Sequence, residues 1–422
     1  MTSTQGKLLL SRPVPRPNEG VWPGLADPPP TSYKARIAES LFRRAVRTLD
    51  VQVRLPSGEL LGGGGPGSPV MRLHRPAAFF RRLGSHGNIG FGESYMVGDW
   101  TSSTLADVLT PFAAKMATLI PPLLQRLRRW VVAHTPAEEE NSIDGAKENI
   151  HRHYDLSNEL FAAFLDETMT YSSAMFAEGP ESHTEELADA QCRKIDSILD
   201  LADVKAGQHI LEIGTGWGAL AIRAARRGAS VTSLTLSAEQ RTLAEARIAE
   251  AGVADKVQVL LRDYREAQGS YHAVVSVEMI EAVGIDYWPT YFTALQRLVR
   301  PGGRIGLQAI TMPHDRMLAT RDNYTWIHKY VFPGGLIPSV TAIEQCLAAH
   351  TGLRVTERIA FGADYARTLA HWRQTFLANW RTVAELGFDE TFRRMWEFYL
   401  AYCEAGFRVG YLDVQQIALS AR

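Results

Sequence analysis

A glycine-rich turn follows an apolar segment in the middle of the chain, in the run Ile-Leu-Glu-Ile-Gly-Thr-Gly-Trp-Gly over residues 210–218. Glycine adopts positive φ without strain and lets the backbone approach a ligand with no Cβ in the way, so Gly214, Gly216 and Gly218 are candidate binding residues. Glu212 comes just before them and would place a carboxylate near the same ligand. The run predicts a loop that holds a molecule carrying a positive charge.

The spacing of these glycines decides between cofactors. It is G-x-G-x-G, whereas dinucleotide-binding loops have G-x-G-x-x-G, and the Lys-Ser/Thr pair of a phosphate-binding loop is missing from the run. Preceded by an acidic residue, this spacing is typical of S-adenosylmethionine-dependent methyltransferases, in which Glu212 would anchor the methionine amino group directly or through water. The alternative is a plain tight turn with no ligand.

Two further segments follow predicted strands and favour the same cofactor. Leu-Thr-Leu-Ser-Ala-Glu-Gln at 234–240 stands where a methyltransferase contacts ribose or methionine, and Leu-Arg-Asp-Tyr-Arg at 261–265 stands where adenine is bound. In the second segment we expect Asp263 to bind the adenine amino group, with Tyr264 and Arg265 lining the ring. The serine of the first segment also has a structural role available, because Ser-Ala-Glu-Gln is a good helix N-cap sequence.

Strands and helices alternate around these motifs, which predicts an α/β fold with a doubly wound, mostly parallel sheet. The predicted strands are short apolar runs, and they lie at 209–213, 230–236, 257–261, 272–277 and 303–309. The predicted helices lie at 185–199, 218–227, 238–251 and 287–298, with more helices from about residue 341 that end at 415–419. Ligands of open α/β sheets bind at the carboxyl ends of the strands, where the glycine turn falls.

The first third of the chain differs in charge and pattern. The 422 residues carry 45 Lys+Arg and 46 Asp+Glu, but residues 1–134 hold 17 and 8 of them, a net charge of +9, which leaves −10 for the remainder. A polar run at 137–145 predicts a linker, with a solvated helix start as the alternative. We therefore expect a smaller α+β domain at 1–135, for membrane docking or dimerisation, and a catalytic domain at 136–422.

The cysteines and apolar runs bear on compartment. Cys192, Cys346 and Cys403 lie far apart in the sequence with no Cys/His ligand cluster, which predicts reduced thiols in a cytoplasmic protein and argues against a zinc site. No run approaches the ~18 apolar residues of a membrane span. We therefore expect any membrane to be met at its surface. The near-neutral total charge and the lack of a recognition motif argue against a nucleic-acid partner.

Six motifs in order resemble those of the cyclopropane-fatty-acyl-phospholipid synthases and mycolic-acid cyclopropane synthases, and they lie at 153–158, 169–174, 211–218, 275–281, 330–335 and 361–365. The segment 90–100 looks like the extra domain of the phospholipid-acting synthases. The resemblance implies a class I methyltransferase fold with helical lid elements. It also implies methyl transfer from S-adenosylmethionine to a cis double bond of an unsaturated acyl chain in a membrane phospholipid. By the same likeness, cofactor contacts fall at Tyr171, Ser172, Gly214, Thr235, Leu236, Gln240, Tyr264 and Arg265.

The resemblance also implies a bicarbonate ion beside the reacting alkene, but several residues that would bind it differ here. The cysteine of the family motif is Ser173, the histidine of a Leu-His-Thr-Ile segment is Gln308, and the Glu-His pair is Glu281-Ala282. The loss of two imidazoles and a thiol puts bicarbonate in doubt as a cofactor. Glu281 and Tyr365 are retained.

These residues form the predicted catalytic set. Glu281 is the leading carboxylate, with Tyr365 as its expected hydrogen-bond partner or relay, and Glu278 is a structural candidate near the cofactor. Glu148 is a second candidate, since its carboxylate could lie where relatives use bicarbonate, the alternative being a solvated charge at a helix start. Ser173 and Gln308 complete the set.

Proton loss after methyl transfer determines the product. Methyl transfer leaves a carbocation, which aromatic faces and a carboxylate stabilise. The candidate lining residues are Tyr171, Phe176, Tyr324, Trp326, Tyr330 and Phe332. Proton loss from the new methyl group as the ring closes gives a cyclopropane, whereas a prior hydride shift gives an exocyclic methylene, the precursor of a methyl-branched chain. The missing imidazoles favour the methylene; a cyclopropane synthase, a small-molecule methyltransferase and a non-catalytic lipid-binding protein are the alternatives.

Two segments of the N-terminal part combine arginines with bulky apolar residues, at 71–83 and 123–132. This composition predicts docking to an anionic membrane surface, the alternative being packing helices with a solvated basic edge. The expected location is therefore the inner face of the membrane. The expected partner is an unsaturated phospholipid in a bilayer, and a homodimer and a downstream reductase remain open.

Overall fold

The computed structural model describes residues 14–115, 157–179 and 184–421, which fall into two compact units. The first unit combines the described N-terminal residues with Tyr324–Val331 and Phe376–Val409. The second unit contains the remaining described residues. The predicted boundary at 135 and 136 lies outside the described residues. A division at one point of the chain also leaves out the two later segments that join the first unit.

The first unit contains a small sheet with the strand order β2-β1-β3-β4. In it β1 runs parallel to β3, and β2 and β4 are antiparallel to their neighbours; the bounds are β1 Gln52–Arg54, β2 Leu60–Leu61, β3 Val70–Leu73 and β4 Trp100–Thr101. The helices of this unit, numbered in chain order, are α1 Tyr33–Val46, α2 Pro76–His86, α3 Asn88–Met96, α4 Leu105–Lys115, α12 Trp326–Tyr330, α15 Trp380–Glu385 and α16 Glu390–Arg408.

Helix α2 packs into the core of this unit. Its Phe79 and Phe80 are buried and meet the ring of Phe42 edge-on, at centroid distances of 5.2 and 5.8 Å. Its Arg82 is also buried and bonds Asp99 at 3.1 Å. The prediction that 71–83 offers its apolar residues to a membrane is therefore wrong, because the core of the unit covers them. The other predicted docking segment, 123–132, lies outside the described residues.

The second unit is built on a seven-stranded sheet with the order β10-β11-β9-β8-β5-β6-β7. Five neighbouring strands are parallel, and the two at one edge are antiparallel; the bounds are β5 His209–Ile213, β6 Ser230–Thr235, β7 Val257–Leu261, β8 Tyr271–Val277, β9 Val299–Thr311, β10 Leu353–Ala360 and β11 Asp413–Ala421. The predicted doubly wound, mostly parallel sheet is confirmed.

Helices cover both faces of this sheet. They are α5 Asn158–Ala162, α6 Leu187–Leu201, α7 Ala219–Arg226, α8 Ala238–Glu250, α9 Ile280–Val283, α10 Trp288–Leu298, α11 His314–Thr320, α13 Val340–His350 and α14 Gly362–Ala378. Consecutive strand residues enter different apolar clusters: Leu211 and Val274 join one, while Ile210 and Val275 join another. Because both faces are buried, these strands read in the sequence as continuous apolar runs.

The C-terminal prediction is wrong. Residues 415–419, predicted to end a helix, belong to β11, and β10 was not predicted as a strand. Strand β11 lies between β9 and β10, and residues 414–419 are all buried, so no alternation of polar and apolar residues marks it in the sequence. Gln, Ala and Leu are also good helix formers, so local propensity favoured the other structure and the tertiary context overrode it.

The order of the strands reverses beside β5. Strands β6 and β7 lie on one side of β5, whereas β8 and β9 lie on the other. In an open α/β sheet this reversal is where a crevice forms at the carboxyl ends of the strands. The turn that follows β5 and the turn that follows β8 both face that position. Among the described residues, no helix is long and apolar enough to cross a bilayer.

Candidate functional site

The glycine turn after β5 has the backbone that the sequence predicts. Gly214, Gly216 and Gly218 all have positive φ, of 98°, 52° and 88°. A Cβ on Gly214 would come within 2.9 Å of the Met279 sulfur, whereas one on Gly216 would meet nothing within 4 Å. Gly214 is therefore required by its φ and by the space around it, and Gly216 by its φ alone.

The carboxyl of Glu212 is buried at the end of β5. The side chain of Ser233, on the neighbouring strand β6, donates a hydrogen bond to Glu212 Oε2, and the Ser233 and Thr215 hydroxyls lie 2.6 Å apart. Burial raises the pKa of Glu212 to about 8, against the effects of the Ser233 hydrogen bond and the Lys194 charge. A buried acid beside a glycine turn fits a cationic group that would compensate its charge.

The segment after β6 is held by its own side chains. Ser237 caps α8, because its hydroxyl accepts from the Gln240 amide at 3.1 Å. Thr235 donates its hydroxyl proton to Gln240 Oε1 at 3.0 Å. These contacts place Thr235 and Gln240 on either side of the turn that carries Leu236. Their contact with a cofactor stays a prediction.

The segment after β7 is less open than the sequence suggests. Arg265 forms a bidentate ion pair with Asp263, in which Nε donates to Oδ1 at 2.8 Å and Nη2 donates to Oδ2 at 2.6 Å. These hydrogen bonds raise the pKa of Arg265. The Tyr264 ring meets the Tyr291 ring edge-on at 5.3 Å. Asp263 and Arg265, two of the three residues expected to reach adenine, thus bind each other, and the adenine contact stays a prediction.

The segment around Tyr171 packs beside a buried lysine that the sequence reasoning missed. The Tyr171 ring lies 5.0 Å from Phe161 and 5.2 Å from Trp372 between centroids. The Ser172 hydroxyl accepts from Lys194 Nζ at 2.6 Å. Lys194 is on α6 and only 1% exposed, and burial lowers its pKa to about 8. Its charge interacts with both Glu278 and Glu212.

Three predicted site residues converge on Glu278. Its Oε1 accepts from the Ser173 backbone amide at 3.0 Å and from Gln308 Nε2 at 2.9 Å. Its Oε2 accepts from the Tyr365 hydroxyl at 3.0 Å. The Ser173 hydroxyl points elsewhere and donates to the Ala174 carbonyl at 2.9 Å. Burial still raises the pKa of Glu278, although all three donors oppose that rise.

The sheet register holds Gln308 in this arrangement. Gln308 on β9 lies opposite Val277 on β8 and opposite Gln416 on β11. Its side-chain Oε1 accepts from Gln416 Nε2 at 3.0 Å, so its side-chain Nε2 is turned toward Glu278. Gln416 also donates to the Lys194 carbonyl at 3.0 Å. The amide that replaces the family histidine is therefore fixed by an antiparallel strand.

Glu281 has a different environment. One carboxylate oxygen accepts from the Ile310 amide, and the other, Oε2, is buried without a hydrogen-bond partner among the described residues. Burial, together with the nearby charge of Glu278, raises the pKa of Glu281 to about 8. The predicted Tyr365–Glu281 hydrogen bond is wrong, because Tyr365 donates to Glu278 instead. The fold thus separates a carboxylate held by three donors from one with an open oxygen.

The remaining candidates divide between the units. Glu148 lies outside the described residues. Tyr324, Trp326 and Tyr330 fall in the first unit, where the Tyr330 hydroxyl donates to Glu93 Oε1 at 2.9 Å. Three of the six aromatic candidates therefore belong to a unit other than that of the glycine turn.

One feature of the sequence could have revealed Lys194, and another supports Glu278, which was expected only as a structural residue near the cofactor. Lys194 lies at helical spacing between the buried Ala190 and Ile198, and a charged residue in an apolar stripe is a sign of a buried partner. Glu278 directly follows β8, just as the glycine turn directly follows β5. Its φ of 50° could not have been predicted, because only the folded turn imposes it.

Comparison with known proteins shows which family the chain resembles. Residues 141–417 match the family model for mycolic acid cyclopropane synthetase. The tuberculostearic acid methyltransferase UfaA1 of Mycobacterium tuberculosis is 53% identical over 404 residues, which cover 94% of this chain and 95% of that protein. The cyclopropane-fatty-acyl-phospholipid synthase of Escherichia coli is 32% identical over 390 residues, covering 91% and 93%.

Solved structures point the same way. The crystal structure of mycolic acid cyclopropane synthase CmaA1 complexed with SAH and CTAB is 31% identical. It is similar with a TM-score of 0.59 over 65% of this chain and 97% of the other. Its coverage leaves a third of this chain unmatched, whereas the two sequence relatives span nearly the whole length.

Proposed function

The chain belongs to the mycolic acid cyclopropane synthetase family and is an S-adenosylmethionine-dependent lipid methyltransferase, and from that premise we propose that it methylates the cis double bond of an unsaturated acyl chain in a phospholipid and releases a methylene-bearing chain. The open Oε2 of Glu281 carries this proposal. A buried carboxylate oxygen with no donor of its own is available to accept a proton from the substrate.

The glycine turn and Glu212 are the residues that would hold the cofactor. Positive φ at three positions brings the backbone close to a ligand, and the buried Glu212 carboxyl offers a negative charge to its amino group. S-adenosylmethionine, when bound, supplies an electrophilic methyl group, and its addition to an alkene leaves a carbocation on the acyl chain. The chain itself must then exclude water and accept one proton.

The proton balance assigns roles to the two carboxylates. After a hydride shift toward the cationic carbon, a C–H bond of the new methyl group breaks, its electron pair forms the methylene double bond, and the proton passes to Glu281 Oε2. Glu278 is the poorer acceptor, because its carboxylate already receives three hydrogen bonds. The absence of imidazole at Ala282 and Gln308 leaves a carboxylate as the acceptor.

The relatives support the methylene product over a ring. The 53% identical relative is named as a tuberculostearic acid methyltransferase, whereas the 32% identical one is named as a cyclopropane-fatty-acyl-phospholipid synthase. The name of the 32% identical relative includes a fatty-acyl phospholipid, and this supports a phospholipid as the substrate of the present chain. A methylene chain becomes a methyl-branched chain on reduction, so a reductase is the expected downstream partner.

Product analysis tests this function. The protein is incubated with S-adenosylmethionine and dioleoyl phospholipid, and the recovered lipid is examined by mass spectrometry and proton NMR. We expect one added CH₂ per modified chain and vinylic protons of an exocyclic methylene. Distearoyl phospholipid is the matched control and should gain nothing, because it has no double bond. Cyclopropyl protons in the product would contradict the methylene assignment.

We also propose that the first unit docks on an anionic lipid surface through helix α1. Tyr33 and Ile37 are 71% and 51% exposed, an unusual degree for such large apolar side chains. Lys34, Arg36 and Arg44 are exposed on the same helix. Apolar side chains that lie beside basic ones on one helix suit an anionic interface, and each basic residue contributes about 1 kcal/mol there.

Vesicle sedimentation tests the docking surface. The double variant Arg36→Glu/Arg44→Glu should bind anionic vesicles more weakly than the wild type, with little change on neutral vesicles. A matched control, Arg226→Glu/Lys256→Glu, makes the same charge change at exposed positions of the second unit. Equal losses in both double variants would show that total charge, and not the face of α1, controls binding.

A further inference from the structure

The donor set around Glu278 bears on the ion that the family resemblance implies. Ser173, Gln308 and Tyr365 stand at three of the positions that the resemblance assigns to bicarbonate. In this structure the Ser173 amide, the Gln308 amide and the Tyr365 hydroxyl all donate to the Glu278 carboxylate, at 2.9 to 3.0 Å. The groups that would bind the ion are already bound to a side chain.

Bicarbonate does not fit the site in this state. It and a carboxylate are planar oxyanions of the same charge, so they compete for the same donors. A bicarbonate ion beside Glu278 would place a second negative charge in a buried region and would lack the three hydrogen bonds that Glu278 receives. The one buried cation nearby, among the described residues, is Lys194, whose charge interacts with Glu278.

We propose that Glu278 is a built-in anion that takes the place of bicarbonate, so that this enzyme neither binds the ion nor requires it. The inference rests on the proposed function, since bicarbonate matters only to an enzyme of this reaction class. Glu278 is a positioning residue: it orients Tyr365 and Gln308 and leaves Glu281 as the carboxylate with an open oxygen.

The backbone at this position supports the assignment. Glu278 has a φ of 50°, in the left-handed region that glutamate rarely adopts and glycine adopts freely. Strain of this kind persists where the surrounding structure compensates it, and it clusters at functional sites. Here three donors and a buried lysine hold the strained residue. A glycine at 278 would relieve this strain, so Glu278→Gly is expected to fold, although it leaves the three donors without the carboxylate as their acceptor.

The experiment compares three proteins in bicarbonate-free buffer and with added bicarbonate. It follows the S-adenosylhomocysteine that forms from S-adenosylmethionine as oleoyl phospholipid is methylated. The wild-type rate should not change with bicarbonate. Glu278→Gly should be about 10- to 100-fold slower without the ion and should recover when it is added. Glu278→Gln should stay slow in both buffers, because the amide fills the space without supplying a charge.

Binding gives a second readout that does not depend on turnover. The NMR signal of carbon-13-labelled bicarbonate should broaden when Glu278→Gly is added and should not broaden when the wild type is added. Bicarbonate activation of the wild type, or a loss in Glu278→Gly that the ion does not restore, would overturn the proposal. If the wild type makes no product from oleoyl phospholipid in either buffer, the proposed function has failed, and the binding comparison still decides the role of Glu278.

Discussion

Tyr365 donates its hydroxyl proton to Oε2 of Glu278 at 3.0 Å, which leaves Glu281 to bond the Ile310 amide with one oxygen and to keep the other open. The two glutamates are three residues apart in the sequence, and the burial of their carboxyl groups raises the pKa of both. Their different hydrogen bonding separates a carboxylate that organises the site from one that can accept a proton.

Replacing Glu281 by Gln should reduce turnover about 10²- to 10⁴-fold, the usual contribution of a general base, with the affinity for S-adenosylmethionine nearly unchanged. The amide keeps the shape of the side chain and removes the proton acceptor. Turnover is measured as S-adenosylhomocysteine release and affinity by calorimetry. Glu250→Gln, an exposed position, is the matched control and should retain full activity. Wild-type turnover in Glu281→Gln would remove the residue from the mechanism.

The turnover number at saturating cofactor should rise with pH up to about 8. Glu281 accepts a proton only as a carboxylate, and its raised pKa of about 8 means that the protonated form predominates at neutral pH. Below that pKa, the rate should therefore grow up to about tenfold per pH unit, and above it the rate should level off. A residual rate in Glu281→Gln that follows the same profile would assign the ionisation to another group.

Lys194→Met should move the pH dependence of S-adenosylmethionine affinity, which Glu212 governs, to higher pH. The buried ammonium group interacts with Glu278 and Glu212 and favours their ionised forms, so its loss raises the pKa values of the acids around it. Methionine fills a similar volume without the charge. Measurements of cofactor affinity across pH, paired with thermal unfolding, distinguish an electrostatic role from a packing role. A lower melting temperature with an unmoved profile would mean that Lys194 is only structural.

The affinity for S-adenosylmethionine should increase with pH below about 8. Glu212 has a raised pKa of about 8 and can hold an ammonium group only when ionised, so binding must first remove its proton. Calorimetry near pH 7 in buffers of different ionisation enthalpy should detect release of about one proton on binding. Glu212→Gln should bind more weakly and release no proton from this group. Equal proton release in the variant would exclude Glu212 as its source.

Gly214→Ala should weaken cofactor binding and lower the free energy of unfolding. The positive φ of 98° alone costs an alanine about 1–2 kcal/mol, and the new Cβ would also press on the Met279 sulfur at 2.9 Å. Gly207→Ala is a matched control, because its φ is 78° and its Cβ would meet nothing within 4 Å. Urea unfolding should show a larger loss for Gly214→Ala, and only that variant should lose affinity.

Much of the second unit could be predicted from local sequence. Strands β5 and β7 have the predicted bounds, and the G-x-G-x-G turn has the positive φ angles that glycine spacing indicates. Strand β11 could not be predicted, because residues 414–419 are buried throughout and carry no alternating pattern. The docking prediction for 71–83 failed for a related reason: composition reports which residues are apolar, but not which of them the core covers.

By itself the sequence determined the type of chemistry, because the glycine spacing, the acidic residue before it and the order of the motifs are local properties of the chain. Only the tertiary structure decided which carboxylate does what. Glu278 and Glu281 are the same amino acid, three positions apart, and the sequence alone does not distinguish them. The parallel register of β8 with β9 brings Gln308 to Glu278. The fold adds the Tyr365 hydroxyl and the Ser173 amide to the same carboxylate. Hydrogen bonds between residues 30 to 105 positions apart form only in the folded chain, and they lower the proton affinity of Glu278, which burial raises.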